Sequence, residues 1–286
     1  MNPSPSPSPS VLLKSVSDVV SQASSVTLFP CRFFVAWNGV MVMAFTGFPE
    51  SIQKMKNSME NTLSPHLGTE NFGSKWPKVT LGALNDSGHG NGDRNGDVDG
   101  VGDGDGDGDG DGLSRMEFMS LLKICEKFTS ELVKLSLCVD VTQLSAVVMK
   151  CRSLEQLQAR FDIDLRHLER HPHRHHDRSA IAASQCEFVS SVFRELDGDV
   201  AGYFQTRIVG TTASRISHYR QHHTENTLVA FINQQPSPSP SSSALMDILQ
   251  RFQRAVDTIL PHRYQWFDVE SLHCTIRSLG TFEFFQ

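Results

Sequence analysis

The run from Asn85 to Gly112 is almost wholly glycine and aspartate, with no apolar cluster. Such a segment cannot bury enough surface to offset the entropy of ordering it, so it reads as a disordered insertion. A core must therefore be assembled from the sequence on either side of it. Two other stretches have the same character: His167 to His176 is rich in histidine, and Pro236 to Pro240 is a Ser-Pro repeat. Disordered insertions are thus expected at about 86–112, 167–180 and 235–242, within one domain spanning 31–286. The remainder of the 286 residues holds enough apolar sequence for one sizeable core. The formal charge of −6 comes largely from the Asp/Gly tract, and there is no basic excess to favour non-specific binding to duplex nucleic acid.

Residues 1–30 read as a disordered or targeting tail. Met1 to Ser10 is a Ser-Pro repeat without a basic leader, which argues against a secretory signal. Residues 11–30 are Ser-rich with a single acid, Asp18, a composition that also fits a chloroplast or other organellar transit segment. Six cysteines stand at 31, 125, 138, 151, 186 and 274, none in Cys-x-x-Cys spacing and most inside apolar runs. That pattern fits a reducing compartment, cytoplasmic or nuclear, better than a disulfide framework. No apolar run approaches membrane-spanning length, so no membrane partner is expected.

Along the chain, Phe33 to Trp37 and Val40 to Phe45 flank Asn38-Gly39, the signature of a hairpin whose turn needs positive φ at both positions. A helix from about Ser51 carries Ile52, Met55, Met59 and Leu63 on one face, and Pro65 stops it. Lys78 to Leu84 reads as a strand and Leu113 to Leu132 as a helix. Alternation from Val133 to Val141 predicts a half-buried strand, and Leu144 to Cys151 a further strand or helix. Cys186 to Leu196 suggests a short helix and Thr227 to Ile232 a strand. The clearest helix follows, with Leu245, Ile248, Leu249, Phe252, Val256, Ile259 and Leu260 in its stripe and Pro261 at its end. The last strand is expected over Val269 to Ser278.

The chemistry lies in Leu272-His273-Cys274-Thr275-Ile276-Arg277. Alternate residues of a strand share a face, so His273, Thr275 and Arg277 point one way and Leu272, Cys274 and Ile276 the other. An imidazole, a hydroxyl and a planar cation in a row suit a phosphate. Trp76-Pro77-Lys78-Val79-Thr80-Leu81-Gly82 repeats the pattern, with Lys78 and Thr80 on one face. These two segments resemble the paired His-x-Thr/Ser motifs of the 2H phosphoesterase (RNA ligase/cyclic phosphodiesterase) superfamily, whose first motif is often flanked as Pro-His-x-Thr-Leu-Gly. Here Lys78 stands at the histidine position. Gly73 to Leu84 is also similar to a stretch in plant RNA ligase/cyclic nucleotide phosphodiesterase family proteins. The resemblance runs from about Phe33 to Leu279, across the three insertions.

The resemblance implies an α+β fold of two-lobed, pseudo-symmetric antiparallel sheets with flanking helices. It implies a site in which His273, Thr275, Lys78 and Thr80 are catalytic, while Thr80, Thr275, Arg277 and Lys78 bind phosphate. The partner would be a 2′,3′-cyclic phosphate at an RNA end or on a nucleotide, with no cofactor and no metal. Lysine is normally charged at neutral pH and cannot act as a base while protonated. Loss of one general acid or base costs about 10²–10⁴-fold in rate, so an active enzyme and an inactive RNA-binding, nucleotide-binding or protein-interaction module are both open readings.

Other signals carry less. His222-His223-Thr224 is formally His-x-Thr, but its polar flanks place it in a loop. The Asp/Gly tract ends like an EF-hand loop, yet with Asp107 at position 1 the twelfth residue is Phe118 rather than the required Glu. The histidine run lacks companion cysteines or spaced carboxylates, and there is neither a P-loop nor a Lys-x-Asp-Gly ligase motif.

Overall fold

The computed structural model describes residues 9–64, 66–68, 70, 72–86, 112–167, 181, 183–210, 215–236 and 240–280. In order, the elements are α1 (Pro9–Val20), β1 (Val26–Leu28), β2 (Pro30–Ala36), β3 (Val40–Phe45), α2 (Glu50–Leu63), β4 (Lys78–Leu84), α3 (Arg115–Leu135), β5 (Val139–Val141), β6 (Gln143–Met149) and β7 (Leu157–Asp164). After them come α4 (Ala183–Gly198), α5 (Val200–Tyr203), α6 (Ile216–Arg220), β8 (Glu225–Phe231), α7 (Pro240–Ile259), β9 (Tyr264–Trp266) and β10 (His273–Gly280). The class is α+β: an antiparallel sheet ordered β2-β3-β4-β10-β8-β6-β7, with β9 on β4, a small β1-β5 pair, and helices against the sheet.

Local sequence explains most of these elements. Asn38 and Gly39 take φ of 60° and 78°, the left-handed pair that the β2–β3 turn requires. α2 buries Ile52, Met55, Met59 and Leu63, the predicted stripe, together with Lys56. α3 starts on a capping box in which the Ser114 hydroxyl accepts from the Glu117 N–H and the Glu117 carboxylate accepts from the Ser114 N–H. α3 and α7 cover one face of the sheet, where Phe33 stacks on Phe252 at 4.3 Å and meets Phe128 edge-on at 6.3 Å. Phe34, the next residue, points to the opposite face and packs against Trp76 and Phe193 of α4.

Several expectations need correction. From Pro9 onward the expected tail is part of the fold: α1 buries Leu12, Val16 and Val20, and β1 pairs with β5. Burial of an amphipathic stripe outweighs the Ser-rich composition. The strand expected from Val133 is helix up to Leu135, after which Ser136 turns left-handed and only Val139–Val141 pairs. Phe128 and Leu132, four apart and both buried, carry the helical face through that run. The segment 235–242 is ordered at both ends. The Gln235 side-chain oxygen accepts from the N–H groups of Thr142 and Gln143, α7 begins at Pro240, and the Ser241 hydroxyl accepts from the Cys138 N–H. Residues 237–239 lie outside the described residues, as do 87–111 and 168–180 of the other expected insertions. β7 and α5 were not foreseen, Ile259 is exposed rather than in the stripe, and Val269–Ser271 is a 3₁₀ turn leading into β10.

Candidate functional site

The two motif segments become neighbouring strands. β4 and β10 run antiparallel and meet at Cys274 opposite Val79. Residues directly opposite in such a pair share a face, so Val79, Leu81, Cys274 and Ile276 all point into the core, each no more than 1% exposed. Their sequence neighbours Lys78, Thr80, His273 and Thr275 take the other face and are half-buried. The register sets Thr80 beside His273 and Lys78 beside Thr275, with Lys78 and His273 on the diagonal, the spacing across which long side chains reach one another.

The contact between β4 and β10 is short. Past Thr80, β4 turns to β9, with Gly82 opposite Trp266. A Cβ on Gly82 would lie 2.5 Å from the Gln265 carbonyl oxygen, so the glycine that follows Lys78-Val79-Thr80-Leu81 is what lets β9 approach. Across the site face, β10 pairs with β8, placing Phe231 opposite His273 and Val229 opposite Thr275.

His273 is fixed by a hydrogen bond of 2.7 Å between Nδ1 and the Ser271 carbonyl. A carbonyl only accepts, so Nδ1 carries the proton and Nε2 is left as the proton acceptor. Burial lowers the imidazole to about 4, against the opposing pull of the Ser271 hydrogen bond. At neutral pH it is an uncharged base. Burial also lowers Lys78, to about 8, and the nearby Lys56 ammonium pushes it the same way. The Lys78 ammonium donates to the Gly73 carbonyl and lies 4.6 Å from the centre of the Trp76 ring. The face therefore pairs an uncharged imidazole with a mostly protonated amine, two groups of opposite proton-transfer character. Among the described residues the hydroxyls of Thr80 and Thr275 have no hydrogen-bond partner, so both can donate to a ligand oxygen.

Arg277 does not join this row. A register shift between Thr275 and Arg277 breaks the alternation, and the side chain is 2% exposed. Its guanidinium pairs with Glu60 and lies 3.8 Å from Glu70, so the phosphate-binding role expected of it is not supported by its placement. Lys56, which sequence reasoning missed, joins the same buried network through Glu70 and the Ser74 carbonyl. Its signal was legible: a lysine inside the Ile52, Met55, Met59 stripe is a buried charge that needs partners. Successive carbonyls of one short turn, Gly73 and Ser74, thus hold Lys78 and Lys56.

His222 to Thr224 form an irregular segment before β8, and His223 Nε2 lies 3.1 Å from Glu225. They adjoin the end of β8 that pairs with Gly280, seven residues and roughly 23 Å along β10 from His273. Among the described residues no group of three or more His, Cys, Asp or Glu side chains is placed to hold a metal, and no helix is long and apolar enough to cross a membrane. An open depression of about 320 Å³ lies on the β8 side of the site, lined by Phe231, which is opposite His273, and by Ser271 among others. Comparison with protein-family models, with curated proteins and with solved structures finds no match to this chain.

Proposed function

We propose that this chain is a 2H phosphoesterase-like protein that binds the 2′,3′-cyclic phosphate of a nucleotide or RNA end and hydrolyses it slowly. The observation that carries this reading is the β4–β10 register, which gathers Lys78, Thr80, His273 and Thr275 on one partly exposed face. Thr80 and Thr275 donate to the non-bridging phosphoryl oxygens, and the Lys78 ammonium offsets their charge. His273 Nε2 takes a proton from water as the water oxygen bonds to phosphorus. One P–O bond of the ring breaks, and Lys78 gives its proton to the departing ribose oxygen. Solvent then removes the proton from His273 and returns one to Lys78. Turnover is slow for two reasons: an imidazole lowered to about 4 is a weak base, and a lysine ammonium is a poorer proton donor than the histidinium that Lys78→His would supply.

Hydrolysis of adenosine 2′,3′-cyclic phosphate, followed by phosphorus NMR, tests this. Wild type should turn over slowly, Lys78→His faster, and His273→Ala not at all. Robust turnover that survives His273→Ala would place the chemistry elsewhere. One observation favours a catalytically inactive binding module as the second reading: the Lys78 ammonium is already tied to Gly73 and seated over Trp76. Ligand binding without turnover in any variant would select it. The six cysteines are all unpaired in disulfide terms, which supports a cytoplasmic or nuclear location. The packing of α1 into the core weighs against its removal as a chloroplast transit segment.

A further inference from the structure

We propose that the depression beside His273 is a nucleobase subsite that selects a base carrying an exocyclic amine. This rests on the cyclic-phosphate reading of the four-residue face and names the rest of the ligand. The order across that face is what suggests it. Phosphate contacts come from β4 and β10; the depression begins one strand further on, at Phe231, whose ring centre is 6.3 Å from that of His273. A ribose can bridge such a gap between phosphate and base.

The lining suits a flat, weakly polar group. Phe231, Leu154 and Leu157 give it an apolar floor. The Arg160 guanidinium lies 4.4 Å from the Phe231 ring centre, and its Nε is held by Asp162 at 2.6 Å. Backed by an aromatic ring and fixed by a carboxylate, that planar cation is a rigid platform on which a base can stack. The rim adds Asp268 and Glu270, both exposed carboxylates, to the depression. They accept hydrogen bonds and cannot donate them, so they favour the amino group of adenine or cytosine over the carbonyl edge of uracil. The same negative rim disfavours additional phosphates there, which points to a single terminal nucleoside in the depression.

The test is calorimetric titration of the full chain with three compounds: adenosine 2′,3′-cyclic phosphate, uridine 2′,3′-cyclic phosphate, and methyl ribofuranoside 2,3-cyclic phosphate, which lacks a base. The adenosine compound should bind about tenfold more tightly than the base-free one, the scale of one stacked base. Arg160→Gln should remove that advantage and leave the base-free affinity unchanged. Glu270→Gln, a change at an exposed side chain, should narrow the preference for adenosine over uridine. Equal binding of all three compounds to wild type would overturn the subsite and leave the phosphate site standing. Equal binding of adenosine and uridine, both above the base-free compound, would overturn the amine selectivity. No binding of any compound would overturn the phosphate-site reading, and the subsite with it.

Discussion

Lys78 burdens stability as well as serving the proposed site, and its surroundings set the size of that burden. Burial lowers its ammonium from 10.5 to about 8. At about 1.4 kcal/mol per pH unit, the difference of about 2.5 amounts to about 3–4 kcal/mol, an upper bound because the side chain keeps some solvent access. Between pH 8 and 10.5 the unfolded chain holds this proton more often than the folded chain does. The unfolded state then binds more protons, so stability rises with pH across that window, and below pH 8 the folded state bears the full cost. Lys78→Met removes the titration. The stability of wild type minus that of the variant should therefore rise by up to about 2–3 kcal/mol between pH 7 and pH 10, with other titrating groups cancelling in the difference. Urea unfolding of both proteins at pH 7, 8.5 and 10, followed by tryptophan fluorescence, measures it. A difference that stays flat with pH would refute the claim that the ammonium is enclosed.

His273 gives the same sign of effect at acid pH. Burial lowers it from 6.5 to about 4, so its contribution is fully present above pH 6.5 and lost as pH falls through 4; His273→Gln should flatten the acid limb of a stability profile. Arg277→Ala would empty a buried position and remove the ion pair to the exposed Glu60, while Glu70 keeps Lys56; it should cost about 1–3 kcal/mol, visible as a lowered melting temperature. Leu12→Ala should cost about 2–5 kcal/mol, because α1 is part of the core; a thermal melt unchanged by this substitution would restore the tail reading. If Lys78 supplies the acid, the pH profile of any cyclic-phosphate hydrolysis should be bell-shaped, with limbs near 4 and 8.

Elements whose information is local can be read from neighbouring residues. The Asn38-Gly39 turn, the α2 stripe, the limits of β4 and most of the α7 stripe follow from φ preference and periodicity, which neighbouring residues alone specify. Alternation also showed which residues of each motif share a face. It did not show where alternation breaks: the irregularity between Thr275 and Arg277 arises from pairing with β8, and it turns Arg277 from an expected phosphate ligand into the partner of Glu60 and Glu70. Nor did composition reveal that α1 belongs to the core, since an amphipathic helix is secured by the surface it covers. Only the tertiary structure joined β4 to β10 across some two hundred residues, and only burial within that arrangement drew Lys78 and His273 away from their ordinary titration ranges. Residue type fixes a group's chemistry, but its protonation depends on the solvent and charge around it, and those are supplied by segments distant in the chain.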